Sequence, residues 1–267
     1  MRNIGFIGCG NMGGAILNGI LKAGLLAPEH IFIHTATPAK REELAAKLHV
    51  CAVNSNREVV ENTDLIILAV KPYLFDEVFA QIKEALSEDK VLISVAAGQS
   101  LANMEKLSSA ETKIIRTMPN TPASVGEGMS AVTPNKNCTQ KDIEETMAIF
   151  TSFGKAEIIP EHLMDAVPAV SGSSPAYIFM LINALCDGAV RDGMSRSMAL
   201  TFAAQAVLGS AKMVLESGIH PEQLKDMVCS PGGTTIEAVA KLEEKGFRDA
   251  VLAGMKACTD RLKEMNS

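Results

Sequence analysis

The chain opens on a hydrophobic strand that runs into a glycine-rich turn, and this stretch reads Ile4-Gly5-Phe6-Ile7-Gly8-Cys9-Gly10-Asn11-Met12-Gly13. A Gly-x-Gly-x-x-Gly turn between an apolar strand and a helix is the fingerprint of a dinucleotide-binding βαβ unit. Gly8 permits the tight turn, Gly10 lets the backbone approach a pyrophosphate, and Gly13 lets helix and strand pack closely. The helix N-terminus then offers N–H groups to the phosphates. Residues 8–13 are therefore predicted to bind a dinucleotide, and a glycine-rich turn without a ligand is the alternative.

Short apolar runs alternate with helical stretches beyond this turn. The predicted strands are Ile4–Ile7, Ile31–His34, Leu65–Ala69, Val91–Val95, Ile114–Met118, Ala131–Pro134 and Ala156–Ile159. The predicted helices between them are Met12–Ala23, Ala39–Leu48, Tyr73–Ala85, Leu101–Leu107 and Gln140–Phe153. Because several strands are apolar throughout, both faces of the sheet are expected to be covered. The alternation predicts an α/β Rossmann N-terminal domain with a doubly wound, mostly parallel sheet.

The pattern becomes almost wholly helical after Pro160. The predicted helices here are Ser174–Arg191, Arg196–Glu216, Glu222–Val228, Thr235–Lys245 and Arg248–Glu264. The first of them is apolar on nearly every face, and about a hundred residues of helices can hardly bury such a helix alone. We therefore expect a Rossmann domain over residues 1–162 and an all-α C-terminal dimerisation domain over residues 163–267, which packs against a second subunit.

Composition narrows the class of protein. The 267 residues are 47% hydrophobic and 21% charged, with a net charge of −6 and no basic stripe, so neither nucleic acid nor membrane is an expected partner. The six cysteines are scattered, form no C-x-x-C pair and do not cluster with histidines, so we expect reduced thiols and no metal. No signal peptide precedes the first strand, and the longest strongly apolar run, residues 177–182, is too short to cross a bilayer. A cytoplasmic protein is predicted.

The residues that follow the second strand are expected to determine which dinucleotide binds. The sequence there is His34-Thr35-Ala36-Thr37-Pro38-Ala39-Lys40-Arg41. Enzymes that use NAD place a carboxylate near this point to bind the ribose 2′-hydroxyl. Here hydroxyls and cations replace it, and Thr35, Thr37 and Lys40 suit a 2′-phosphate. The sequence predicts NADP(H) as the preferred cofactor, with NAD(H) left as a second cofactor. The alternative is that Lys40 and Arg41 are merely solvated.

Other loops follow strand ends at the same predicted edge of the sheet, where open α/β sheets bind ligands. They contribute Ala69, Val70, Lys71 and Pro72, then Ala96, Ala97 and Gly98, and then Asn120. A separate loop between two helices reads Cys229-Ser230-Pro231-Gly232-Gly233-Thr234-Thr235. One interpretation is a turn in which Thr234 or Thr235 caps the next helix. The other is a carboxylate site built from backbone N–H groups and the helix N-terminus.

The sequence closely resembles the pyrroline-5-carboxylate reductase family over nearly its whole length. The matching segments are residues 8–13, 69–72, 118–122, 171–177, 220–221 and 224–239. The segment with Ser230-Pro231-Gly232-Gly233-Thr234-Thr235 is the most specific of them. The resemblance implies NADPH-dependent reduction of the C=N bond of 1-pyrroline-5-carboxylate to L-proline, the last step of proline biosynthesis. It also implies self-association through the C-terminal helices, as a dimer or a higher assembly such as a decamer of dimers.

The resemblance also implies roles for individual residues. Asn56 lies near the adenine ribose, the loops at 69–72 and 96–98 flank the nicotinamide, and Asn120 joins the cofactor-binding set. The substrate-binding residues are Ser230, Gly232, Gly233, Thr234 and Thr235. Thr235 is the catalytic residue, because it hydrogen-bonds the ring nitrogen.

Three other functions compete with this interpretation. A β-hydroxyacid dehydrogenase needs a lysine on the long helix that opens its second domain, and residues 171–190 contain none. A second alternative is an imine reductase that acts on other cyclic imines. The loop that would bind a carboxylate is only weak evidence against it. A non-catalytic NADP sensor would keep the fold without turnover.

Overall fold

The structure is a computed structural model that describes residues 1–266. The chain forms two compact units. The first contains residues 1–172 together with the chain from Cys258 onward, and the second contains Ser173–Ala257. The predicted domain boundary after residue 162 stays a prediction. The compact units divide later because buried Arg116 in the sheet pairs with Glu161 and Asp165, at 3.4 and 3.0 Å, and so holds this segment on the first unit.

An eight-stranded sheet forms the centre of the first unit. Its strands are β1 (Ile4–Ile7), β2 (Ile31–His34), β3 (Cys51–Ala52), β4 (Leu65–Leu68), β5 (Val91–Ser94), β6 (Lys113–Met118), β7 (Gly128–Pro134) and β8 (Gly154–Ile158). The order across the sheet is β3-β2-β1-β4-β5-β6-β7-β8. All neighbours are parallel except β6 and β7. The doubly wound, mostly parallel sheet is confirmed, and its strand order reverses direction at β1, where such sheets bind ligands.

Helices on both faces of the sheet bury two hydrophobic clusters. They are α1 (Asn11–Lys22), α2 (Pro38–Leu48), α3 (Asn56–Asn62), α4 (Phe75–Ile82), α5 (Leu101–Leu107) and α6 (Gln140–Thr151). Sequence reasoning missed β3 and α3, because elements of two and seven residues are too short to show a period. The single helix predicted over residues 73–85 is wrong, since 3₁₀ turns flank α4 on both sides.

The second unit is helical, as the sequence predicts. Its helices are α7 (Ser174–Arg191), α8 (Arg196–Ser217), α9 (Pro221–Val228), α10 (Thr234–Glu244) and the first part of α11 (Phe247–Asn266). Only a small cluster of Cys186, Ala199 and Ala203 is buried between α7 and α8. By length and hydropathy alone, Pro168–Arg191 and Arg196–Ser217 could each cross a membrane, which corrects the estimate made from residues 177–182.

Asp142 in the first turn of α6 is buried among compensating partners. Its carboxylate pairs with Arg2 and, at 3.3 Å, with Lys113, and it completes a capping box with Thr139. Burial acts to raise the pKa of Asp142, but hydrogen bonds from Thr139 and Arg2 outweigh it and lower the pKa to about 2. A lowered folded-state pKa stabilises the fold above the unfolded pKa, and this contribution is lost as pH falls toward 2.

We expect Asp142→Asn to lower the melting temperature at pH 7, because two cations lose their buried partner. The loss should be on the order of 2 kcal/mol, or several degrees. Between pH 7 and pH 3, the melting temperature of Asp142→Asn should also fall less on acidification than the melting temperature of the wild type. Glu144→Gln, an exposed change on the same helix, is the control and should match the wild type. Parallel acid dependence in Asp142→Asn and wild type would contradict this role.

Candidate active site

The glycine-rich loop after β1 is closely packed at two glycines and open at the third. Gly8 has φ +90°, and a Cβ there would lie 2.8 Å from the Ala69 carbonyl oxygen. A Cβ at Gly13 would lie 2.6 Å from the Gly8 carbonyl oxygen. At Gly10 a Cβ would meet no heavy atom within 4 Å. The protein itself therefore requires Gly8 and Gly13, whereas the space beside Gly10 is open to a ligand such as a pyrophosphate.

The N-terminus of α1 is available to an anion. Its N-cap is Gly10, which makes no side-chain cap, and the first turn carries no acidic residue. Helix N–H groups left without partners attract phosphate. Cys9 contributes no reactive thiol, since burial raises its pKa to about 12, although the nearby Lys40 charge acts to lower it.

The turn from β2 into α2 holds a buried cation. Thr35 is buried and donates its hydroxyl to the Thr37 carbonyl at 3.1 Å, which shapes the turn. Arg41 is also buried, and its Nη2 donates to Asn54 Oδ1 at 3.1 Å. Its Nε has no partner within residues 1–266.

A buried guanidinium normally has a closely paired anion. The carboxylate beside Arg41 belongs to exposed Glu42, and it lies 4.0 Å away. The sequence alternative that Arg41 is merely solvated is therefore wrong. An incompletely compensated cation in this turn fits a dinucleotide that carries a phosphate on its adenosine ribose.

Asn56, the first residue of α3, is buried in a hydrogen-bonded chain. Its Oδ1 lies 2.7 Å from His34 Nδ1, and its Nδ2 donates to Gln81 Oε1 at 2.8 Å. Sequence reasoning did not select His34 or Gln81. Only the position of His34 at the end of β2 could have drawn attention to it.

The loops after β4, β5 and β6 lie at the same carboxyl edge of the sheet. Ala69 packs against the glycine loop, and its N–H donates to the Ile7 carbonyl at 2.9 Å. Val70 follows, and Lys71 begins a 3₁₀ turn at Pro72. After β5, Ala96 is buried and Ala97 leads into Gly98, which has φ +76°.

Asn120 follows β6 and binds protein groups through both side-chain atoms. Its Oδ1 accepts from Met129 N–H and its Nδ2 donates to the Ser171 carbonyl, both at 2.9 Å. The side chain therefore ties β7 and the turn before α7 to the end of β6. Its assignment to the cofactor-binding set stays a prediction.

The glycine loop of the second unit connects α9 to α10. Gly232 has φ +65°, and Gly233 is the N-cap of α10, with no side-chain cap. The interpretation that Thr234 or Thr235 caps this helix is therefore wrong, because the helix already begins at Thr234. The Gly233 N–H donates to the Ser230 carbonyl at 3.0 Å, and a Cβ at Gly233 would lie 2.5 Å from Ser230 Oγ. Within residues 1–266 the first turn of α10 has no side-chain cap, so its N–H groups are open to a ligand.

A metal site does not occur within the part of the chain that the structure describes, where no group of three or more His, Cys, Asp or Glu side chains could hold an ion.

Comparison with protein families divides the chain into two matched parts. Residues 3–98 match the family model for NADP oxidoreductase, coenzyme F420-dependent. Residues 161–265 match the model for pyrroline-5-carboxylate reductase dimerisation. The second match supports self-association through the helical region.

Individual relatives are similar over their full length. The pyrroline-5-carboxylate reductase of Escherichia coli is 49% identical over 265 residues, which cover 99% of this chain and 98% of the relative. A solved Plasmodium falciparum pyrroline carboxylate reductase with NADP bound is 34% identical, with a TM-score of 0.91 and coverage of 100% and 98% of the two chains. The Coxiella burnetii pyrroline-5-carboxylate reductase is 32% identical, with a TM-score of 0.93 and coverage of 100% and 99%.

Proposed function

Because the chain belongs to the pyrroline-5-carboxylate reductase family, we propose that it reduces the C=N bond of 1-pyrroline-5-carboxylate to L-proline with NADPH, the last step of proline biosynthesis. The 49% identity across both units is the observation that carries this conclusion. The enzyme is accordingly an oxidoreductase that acts on the CH–NH group of donors.

The cofactor-binding residues proposed here follow the carboxyl ends of the parallel strands. The set is Gly8, Cys9, Gly10, Asn11, Met12, Gly13, Thr35, Thr37, Lys40, Asn56, Ala69, Val70, Lys71, Pro72, Ala96, Ala97, Gly98 and Asn120. Arg41 adds a buried positive charge to the turn proposed to hold the 2′-phosphate. When bound, the cofactor supplies the hydride. NADPH is proposed as the preferred cofactor and NADH as the weaker one.

The protein's proposed contribution is position and electrostatics. The N-terminus of α10 holds the substrate carboxylate through the N–H groups of Gly232 and Thr234, with Ser230 beside them. The N–H of Gly233 is bonded to the Ser230 carbonyl, so Gly233 shapes this loop rather than donating to the substrate. Thr235 hydrogen-bonds the ring nitrogen. When the ring carbon accepts hydride, this nitrogen would receive the electron pair of the C=N bond and would take its proton from water. Fixing the ring in one orientation removes entropy from the barrier.

We expect Thr235→Ala to lower kcat/KM about tenfold, because the hydrogen bond to the developing amine is lost. Thr235→Ser keeps a hydroxyl at the same position in α10 and should recover most of the activity. Steady-state kinetics with both variants and matched melting temperatures provide the measurement. Wild-type kinetics in Thr235→Ala would remove this residue from the mechanism.

Substrate comparison tests the proposed function against its rivals. NADPH oxidation should be rapid with 1-pyrroline-5-carboxylate and weak with 1-pyrroline, which lacks the carboxylate. Equal rates with both imines would instead indicate a general imine reductase. Turnover of a β-hydroxyacid would indicate that dehydrogenase class, and NADPH binding without turnover would indicate a sensor. Replacing NADPH with NADH should raise KM, and a lower KM for NADH would contradict the proposed cofactor preference.

The assembly and location are proposed on the same basis. The helices of the second unit self-associate, and we propose a dimer as the basic assembly, with a decamer of dimers as a higher form. The exposed apolar sides of α7 and α8 then cover each other between subunits rather than contacting lipid. The protein is proposed to be cytoplasmic, with neither nucleic acid nor membrane as a partner.

A further inference from the structure

A chain of side-chain hydrogen bonds runs from α4 to the end of β2. Gln81 Nε2 donates to Glu77 Oε1 at 3.3 Å, and Gln81 Oε1 accepts from Asn56 Nδ2 at 2.8 Å. Asn56 Oδ1 lies 2.7 Å from His34 Nδ1. A carboxylate can only accept, so Glu77 fixes the direction of every bond in this chain.

The direction of the chain sets the tautomer of His34. Asn56 Oδ1 is an acceptor, and therefore His34 Nδ1 carries the hydrogen that it donates. In the neutral ring this leaves the lone pair at Nε2, which has no hydrogen-bond partner within residues 1–266. These hydrogen bonds therefore fix the orientation of the His34 ring and leave its Nε2 free to accept a hydrogen bond.

His34 lies where a dinucleotide enzyme meets the adenosine ribose. It is the last residue of β2, beside β1 at the point where the strand order reverses. Its carbonyl accepts the Gly8 N–H at 2.9 Å, so its backbone is fixed to the glycine-rich loop. Enzymes that use NAD place a carboxylate at this point to accept the ribose hydroxyls. A neutral imidazole nitrogen can accept such a hydroxyl as well.

We propose that His34 Nε2 accepts a hydrogen bond from the adenosine ribose 3′-hydroxyl, and that Asn56 contributes to the cofactor site by positioning this ring. This inference rests on the proposed dinucleotide-binding function. NADPH and NADH share the 3′-hydroxyl, so His34 contributes to binding of both. Discrimination between them belongs to the turn that contains Thr37, Lys40 and Arg41.

Calorimetric titration of cofactor without substrate tests the proposal. His34→Phe should raise the Kd of NADPH and of NADH by the same factor, about fivefold, since one neutral hydrogen bond is lost. His34→Gln places an amide oxygen near the Nε2 position and should recover most of the affinity. His30→Phe changes the exposed histidine that immediately precedes β2 and should leave both Kd values unchanged. Melting temperatures of the variants without cofactor identify any that fail to fold.

The positioning role of Asn56 is tested by combining variants. Asn56→Ala should weaken binding alone but add nothing in the His34→Phe background, because it acts through the ring. Additive losses would overturn the positioning role, and a loss confined to NADPH would make His34 a phosphate ligand and overturn the proposal. Unchanged Kd values in His34→Phe would also overturn it. Failure of the wild type to bind NADPH would instead refute the proposed function.

Discussion

Gly13→Ala is expected to weaken NADPH binding on the order of 100-fold. The added Cβ would lie 2.6 Å from the Gly8 carbonyl oxygen and 3.0 Å from Ala69 Cβ. Neither neighbour can yield cheaply, because one is loop backbone and the other belongs to the adjoining strand end. The start of α1 must therefore move away from β1, and its N–H groups lose their alignment toward the pyrophosphate.

Two neighbouring glycines are matched controls for this prediction. Gly14→Ala introduces a Cβ with no heavy atom within 4 Å, so it should keep cofactor affinity and increase stability slightly, by up to about 1 kcal/mol. Gly10→Ala is equally unhindered within the protein, so its melting temperature should match the wild type while NADPH affinity falls. Calorimetric titration and thermal unfolding of the three variants separate packing from binding. Equal NADPH affinity in Gly13→Ala and Gly14→Ala would refute the assignment of the loop.

The fold could be predicted because its signals are local and strong. The runs at β1 and β2 and the helix α7 coincide with the predicted bounds, since each has a clear apolar pattern and a clear stop. The strand β3 could not be predicted, because two residues show no period and its pairing depends on distant β2. The same limit applies to the 3₁₀ turns around α4.

The glycine-rich loop could be predicted as part of the candidate site, because the motif itself states which positions need a glycine. The motif predicts a tight turn at Gly8 and close packing of helix on strand at Gly13. In the structure, a Cβ at either position would clash with a neighbouring carbonyl oxygen. Hydrogen bonds between side chains from different elements were not predictable, because they depend on tertiary packing. The chain through His34 and Asn56 is one case. The burial of Arg41, which the sequence could only place next to Lys40, is another.

The apolar surface of the second unit explains why this protein self-associates. Phe202 on α8 is 65% exposed, and Phe179 and Met180 on α7 are 64% and 73% exposed. Clusters of exposed apolar side chains mark interaction surfaces in soluble proteins. The family model over residues 161–265 describes dimerisation, so a second copy is the occupant that we expect. The interface energy should then depend on a few large side chains such as Phe202.

Phe202→Glu is expected to shift the protein to a species of lower mass at micromolar concentration, because association would bury an unpaired carboxylate. A loss of about 4 kcal/mol corresponds to nearly 1000-fold in the dimer dissociation constant. Light scattering coupled to size-exclusion chromatography measures it. Lys212→Glu reverses an exposed charge on the same helix and is the control that should leave the mass unchanged. If Phe202→Glu instead retained the wild-type mass across the dilution series, α8 would lie outside the interface, and the subunit contact would have to form on the other helices of the second unit.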